Sequence, residues 1–267
     1  MRWLERFRNT TPEPAVTSDP TTARMDKALA AAKAGDYATA LALWEPLAQA
    51  GVSRAQNNIG ACFAEGLGVP VDRPLALKWL TLAAEAGDPV GQRNCAAFHM
   101  QGTNGSDADY ARAADYYRRA AEQDDAVSQD MLSWMLLEGE VMPPDPAEAK
   151  RWAERAANAG ISASATRLGM LYHNALGVDR DPVRAVFWWQ KGAVDNDADA
   201  QAMLGAACHM GAGTPVDHVA ALAWLLRAVD GGSVLAQPFL KPVRESLTPA
   251  ETAEAEQRAR LPLGDVT

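Results

Sequence analysis

Aligned on its large aromatic residues, the chain repeats itself: Trp79, Tyr116, Trp152, Trp188 and Trp224 stand 37, 36, 36 and 36 residues apart. A unit of that length cannot bury an apolar face alone and must stack on copies of itself, so this period decides the fold class before any local propensity is consulted. Three more columns fall into the same register. They are Asp72, Asp109, Asp145, Asp181 and Asp217; Ala76, Ala113, Ala149, Ala185 and Ala221; and Ile59, Cys95, Leu132, Leu168 and Leu204. The register predicts an all-α chain of tandem helix pairs.

Each column has a physical reason. The Asp stands just ahead of the second helix of a pair, where a carboxylate accepts the unpaired N–H groups of a first helical turn. Pro146 and Pro182 follow it at the first helical position, where the missing N–H costs nothing. The aromatic comes two turns later, on the face of the Ala column, and large-against-small packing is expected there. In the first helix of a pair, Ile59 with Phe63 and Leu168 with Tyr172 are four apart on one face. Between the helices lie glycine turns, Gly66-Leu67-Gly68-Val69, Ala175-Leu176-Gly177-Val178 and Gly211-Ala212-Gly213-Thr214, which permit positive φ at a helix end. They do not make a phosphate loop, since a helix precedes them and no Lys-Ser or Lys-Thr follows. Two turns depart from the pattern: one carries Thr103-Asn104-Gly105-Ser106 with an extra residue, and another has Val141 in place of its second glycine.

These residues resemble the Sel-one-like repeat, the short relative of the tetratricopeptide repeat. The match is Ile59-Gly60, Phe63, Gly66 to Val69, Asp72, Ala76, Trp79, Ala83-Ala84 and Gly87 in one repeat, and Leu168-Gly169, Tyr172, Gly177-Val178, Asp181, Ala185 and Trp188 in another. The resemblance implies a right-handed α-solenoid of antiparallel helix pairs, an α/α superhelix. Residues 54–233 make five repeats and residues 23–53 a degenerate leading pair. Residues 234–267 carry a closing helix and tail, with Pro238 and Pro242 interrupting the pattern and Thr248-Pro249-Ala250-Glu251 opening the last helix as a capping box.

The net charge of −9 and pI near 5.0 argue against nucleic acid as a partner. No apolar run is long enough for a membrane span. Cys62, Cys95 and Cys208 have no metal-ligand spacing and are expected as small core residues of a cytoplasmic protein. Residues 1–22 read as a flexible leader; Trp3, Leu4 and Phe7 among Arg2, Arg6 and Arg8 span barely two helical turns and are expected in a disordered tail, the alternative being a short anchor for a membrane surface or a partner.

No HExxH, GxSxG or phosphate-loop motif is present, so no catalytic residue, cofactor or metal is expected. The resemblance implies that first helices line the concave side. Their residues off the core stripe are then Arg54, Asn57, Asn58 and Glu65; Arg93, Asn94, Met100 and Gln101; Asp130, Met131, Trp134, Leu137 and Glu138; Arg167, Met170, His173 and Asn174; and Met203, His209 and Met210. Polar groups dominate the first two rows, methionines and Trp134 the rest. Thioethers adapt to varied apolar partners and a central Trp anchors them. The reading is a groove for a segment of another protein; the alternative is that curvature buries these residues between repeats. His173 and His209 are equivalent in adjacent repeats and are expected to face one another, too few for a metal site. His99 is expected in the core. The column Gln56, Gln92, Gln129 and Gln201 is expected to bond neighbouring backbone. The function implied is a non-catalytic interaction scaffold or adaptor, or else a regulatory subunit of a cell-envelope or polysaccharide-synthesising enzyme.

Overall fold

The computed structural model describes residues 19–102, 108–140 and 142–263. Among them every regular element is helical: α1 (Pro20–Lys33), α2 (Tyr37–Gln49), α3 (Ser53–Glu65), α4 (Arg73–Glu85), α5 (Pro89–Gln101), α6 (Tyr110–Glu122), α7 (Ala126–Glu138), α8 (Pro146–Asn158), α9 (Ser162–Asn174), α10 (Pro182–Val194), α11 (Ala198–Met210), α12 (His218–Asp230), α13 (Gln237–Glu245) and α14 (Pro249–Arg260). A short 3-10 turn, Val234–Ala236, precedes α13. Residues 1–18 of the expected leader, and the two divergent turns at 103–107 and Val141, lie outside the described residues. The leader's expected end at residue 22 is corrected, because Pro20 already opens α1 at the first helical position. The chain divides into two compact units, residues 1–91 and 92–267, with the division inside α5. Each is a run of helix pairs.

The Asp column sets the second helix of every pair. Asp36, Asp72, Asp109, Asp145, Asp181 and Asp217 accept from the N–H groups of Thr39, Leu75, Arg112, Glu148, Arg184 and Ala220 at 2.8–3.0 Å. In the five repeats the N–H of the same Asp reaches back to the first helix. It donates to the carbonyls of Phe63, His99, Leu136, Tyr172 and Cys208 at 2.9–3.0 Å. One residue thus starts a helix and fixes its angle to the one before.

Successive pairs are fastened as expected by three of the four glutamines; the fourth, Gln92, accepts from the Gln123 side chain at 2.8 Å. The side-chain amides of Gln56, Gln129 and Gln201 donate to the carbonyls of Ala48, Ala121 and Ala193 in the preceding second helix at 3.0–3.1 Å. A second Asp column does similar work for the first helices. Asp88, Asp125 and Asp197 accept from Gly91, Ser128 and Ala200 N–H at 2.7–2.9 Å, and each also holds a side chain of the preceding first helix, Arg54, Arg93 or Thr166.

The core columns are Ile59, Cys95, Leu132, Leu168 and Leu204 against the fully buried Ala76, Ala113, Ala149, Ala185 and Ala221. The aromatic column behaves differently from the expectation: Tyr116 is buried, but Trp79, Trp152, Trp188 and Trp224 are only partly so. The residue after each aromatic goes inward instead, as Leu80, Tyr117, Ala153, Trp189 and Leu225, because one helical step turns the side chain by about 100°. The aromatics carry cations one turn on. Arg119, Arg155, Lys191 and Arg227 lie 4.7–5.8 Å from the ring centroids of Tyr116, Trp152, Trp188 and Trp224.

Tight turns explain the second glycine of the motif. A Cβ on Gly213 (φ 80°) would stand 2.1 Å from the carbonyl oxygen of Pro182, at the start of the preceding second helix. At the C-terminal end, Pro238 and Pro242 fall after the last repeat, where the sequence leads one to expect the pattern to be interrupted. Both lie within α13, Pro238 in the first turn where no N–H bond is lost. The capping box forms as read, with Glu251 N–H donating to Thr248 Oγ1 and Thr248 N–H to the Glu251 carboxylate. α14 then packs on α12, burying Ala255.

Candidate partner-binding surface

In residues 92–267 the first helices of neighbouring repeats approach one another. α7 packs on α9 and α9 on α11, more closely than the second helices α8, α10 and α12 approach each other. Side chains projecting from α7, α9 and α11 therefore share one face. Trp134 on α7 and Met170 on α9 hold equivalent positions on it, and Met131, Arg167 and Met203 hold the position three residues earlier.

Most of the polar residues expected on this face are committed to the fold. Arg93 NH1 bonds Asp125 Oδ2 at 2.7 Å, and the guanidinium of Arg167 is clamped on Asp130, which also accepts from the Ser164 hydroxyl. These ion pairs are partly buried and use the charges that a ligand needs. Asn94 is half-buried. In the other unit, Asn57 is 3% exposed and closed off from any open groove, a correction to the expectation for it, and its amide donates to Asn58 Oδ1 at 3.3 Å.

The apolar residues divide. Leu137 and Met203 are half-buried against the core clusters. Trp134, Met131 and Met100 are half-buried. Met170 and Met210 are 37% and 54% exposed. Met170 and Met210 are thus exposed, and Met131, Trp134 and Met203 partly so, on α7, α9 and α11, and thioethers suit apolar side chains of varied shape.

The histidines do not meet across this face. His173 lies against Trp189 with ring centroids 5.5 Å apart and planes tilted by 48°, while His209 Nδ1 lies 3.1 Å from Nδ1 of His218. The Asp217-to-Cys208 backbone bond brings the end of α11 to the start of α12, which sets those two rings side by side. His99 lies on Tyr116, centroids 5.9 Å apart and nearly parallel, and burial pushes its pKa down. All three cysteines are buried and none is in a disulfide; burial, with Asp217 adding to it, pushes the Cys208 thiol up to about 11. Among the described residues no three His, Cys, Asp or Glu gather as metal ligands, and no helix is long and apolar enough to cross a membrane.

The family model of the Sel1 repeat matches residues 53–88, 89–125, 126–161, 162–193 and 198–233. A putative sel1-like repeat-containing protein, L21 of Acanthamoeba polyphaga mimivirus, is 30% identical over 118 residues, 44% of this chain and 21% of the viral protein. Among solved structures, c5321, a protective antigen of uropathogenic Escherichia coli displaying an SLR fold, superposes with a TM-score of 0.82 at 26% identity, over 90% of this chain and 52% of that one. A Sel1 repeat protein from Oxalobacter formigenes gives 0.78 at 28% identity, over 88% and 98%. The chain thus spans about a fifth of the viral protein and half of the Escherichia coli one.

Proposed function

This chain belongs to the Sel1 repeat family of α-solenoids, whose repeats generally serve as protein-interaction scaffolds, and from that premise we propose that it binds a segment of another protein along α7, α9 and α11. The observation that carries the reading is the equivalence of Trp134 and Met170 on two packed first helices. The other repeats hold Ala61, Ala97 and Ala206 at that position, so the indole and the thioether exceed what it carries elsewhere. The bound segment is apolar where it meets Trp134, Met170 and Met210, since Arg93 and Arg167 are spent on Asp125 and Asp130. An amphipathic helix or an extended strand with spaced apolar anchors has that chemistry. The scaffold acts by holding its partner and no bond-making chemistry is assigned to it.

Affinity capture with the wild type, Trp134→Ala and Phe187→Ala tests the reading. Phe187 is an exposed aromatic of the second helix α10 and controls for loss of any surface ring. A partner retained by wild type and Phe187→Ala but lost by Trp134→Ala supports the surface. Identical partners with all three proteins would remove it.

A further inference from the structure

Residues 1–91 contain an open cavity of about 340 Å³ between α2, α3 and α4. Its walls are Leu41, Ile59, Phe63, Val69, Leu75 and Trp79, and Glu45 supplies the one charged group of the lining. The volume lies at the small end of ligand pockets, about 300–1,000 Å³, and suits one or two large side chains. The Glu45 carboxylate accepts a long hydrogen bond from Gln49 at 3.4 Å, and among the described residues no cation pairs with it. The equivalent cleft of the fourth repeat is polar: Lys150, Tyr172 and Arg184 replace Leu41, Phe63 and Leu75, and the two cations lie over the Tyr172 ring. The first repeat therefore presents an apolar, aromatic-walled version with an unpaired acid at its lining.

The same chain supplies the complementary chemistry. Its first eight residues hold Trp3, Leu4 and Phe7 among Arg2, Arg6 and Arg8 with a single Glu5, a basic aromatic segment in a chain of net charge −9. Reach is ample. From Phe7 to the start of α1 at Pro20 an extended chain spans about 40 Å, whereas α2, α3 and α4, of 13 residues each, are about 20 Å long.

We propose that residues 2–8 dock in cis into this cavity, with Trp3 and Phe7 against Phe63 and Trp79 and an arginine of the segment on Glu45. The site is separate from the surface on α7, α9 and α11, so either stands without the other. Docking gives the leader a fixed address on the first repeat and hides its aromatic groups from other surfaces.

Carboxyl footprinting of the full chain, with a carbodiimide and glycine ethyl ester, reads the occupancy of Glu45. Trp3→Ala/Phe7→Ala is expected to speed labelling of Glu45 about fivefold, the ratio set by a docked fraction near four-fifths, with Asp230 unchanged. In the reverse arm, Glu45→Lys is expected to speed tryptic cleavage after Arg8, while circular dichroism reports an intact fold. Equal Glu45 labelling in wild type and the double variant would overturn the proposal. So would protection that fades on dilution, which assigns the cavity to a second copy's leader, or wild-type binding to phosphatidylglycerol vesicles with Glu45 already fully labelled, which assigns the leader to membrane.

Discussion

Gly169 and Trp189 compete for one volume: a Cβ on Gly169 would stand 2.2 Å from the indole Nε1 of Trp189. Trp189 is 3% exposed and its rigid ring has no room to yield. The first and fifth repeats keep the same balance with other residues, Gly60 under Leu80 and Gly205 under Leu225. Gly169→Ala is expected to cost about 2–3 kcal/mol by overpacking and Trp189→Ala about 3–5 kcal/mol. Once the indole is gone its clash with the added methyl is gone too, so the double variant should lose less stability than the two single losses summed. Urea unfolding of the three proteins decides; strict additivity would mean the two sites do not compete.

Ala175 ends α9 in the left-handed region with φ 56°, where Gly66, Gly139 and Gly211 end the other first helices. A Cβ is disfavoured there by about 1–2 kcal/mol, part of which glycine returns through its greater unfolded-state freedom. Ala175→Gly should therefore raise stability by about 0.5–1 kcal/mol, and Gly139→Ala should lower it by a similar amount. Thermal unfolding measures both.

Glu148 is the acid-sensitive joint between the second and third repeats. Its carboxylate takes hydrogen bonds from Arg118 and from Trp152 Nε1, at 3.1 Å for the latter, and the Arg118 bond leads in holding its pKa below 4.5 despite partial burial. A native pKa below the unfolded one adds stability at neutral pH that is lost as pH falls through the depressed value. Glu148→Gln should cost about 1 kcal/mol at pH 7. The gap to wild type should narrow as pH falls below the ordinary carboxylate value of 4.5, and a gap that stays the same however acid the solution would contradict the assignment.

Arg227 closes the stack. The cations of earlier repeats reach the turn behind them, as Arg155 does to Asp124 and Lys191 to Asn158, whereas Arg227 donates forward to the carbonyls of Arg258 and Leu261 at the end of α14. Arg227→Ala should speed amide exchange in α14 about tenfold, the equivalent of about 1.4 kcal/mol of local stability. Exchange in α7 and α9 should not change.

What was legible in the sequence is what recurs unchanged. Asp72, Asp109, Asp145, Asp181 and Asp217 cap because every repeat needs the same carboxylate in the same place, and Gln56, Gln129 and Gln201 bond backbone for the same reason. The true core neighbour of the Ala column was hidden because it varies. Leu80, Tyr117, Ala153, Trp189 and Leu225 range from a methyl group to an indole, and the equivalent first-helix column, Gly60, Ala96, Ser133, Gly169 and Gly205, holds only small residues. The cations after the aromatics, and the second Asp column of Asp88, Asp125 and Asp197, did recur and were available to a closer alignment. Ile161 interrupts that second column. The pairing of His209 with His218 followed from the capping register, since the Asp217 N–H bonds the carbonyl of Cys208, the residue before His209. On the binding face, ion pairs between repeats decided which polar residues were spent, and a single repeat's pattern carries no trace of them.

The central claim is that the first-helix surface around Trp134 is not consumed by folding, and unfolding free energies of Trp134→Ala and Trp189→Ala test it most directly. Trp134→Ala should lose less than about 1 kcal/mol and keep the far-UV helix signal, against about 3–5 kcal/mol for the buried Trp189→Ala. Equal losses of several kcal/mol would place Trp134 in the core and leave the surface without its anchor.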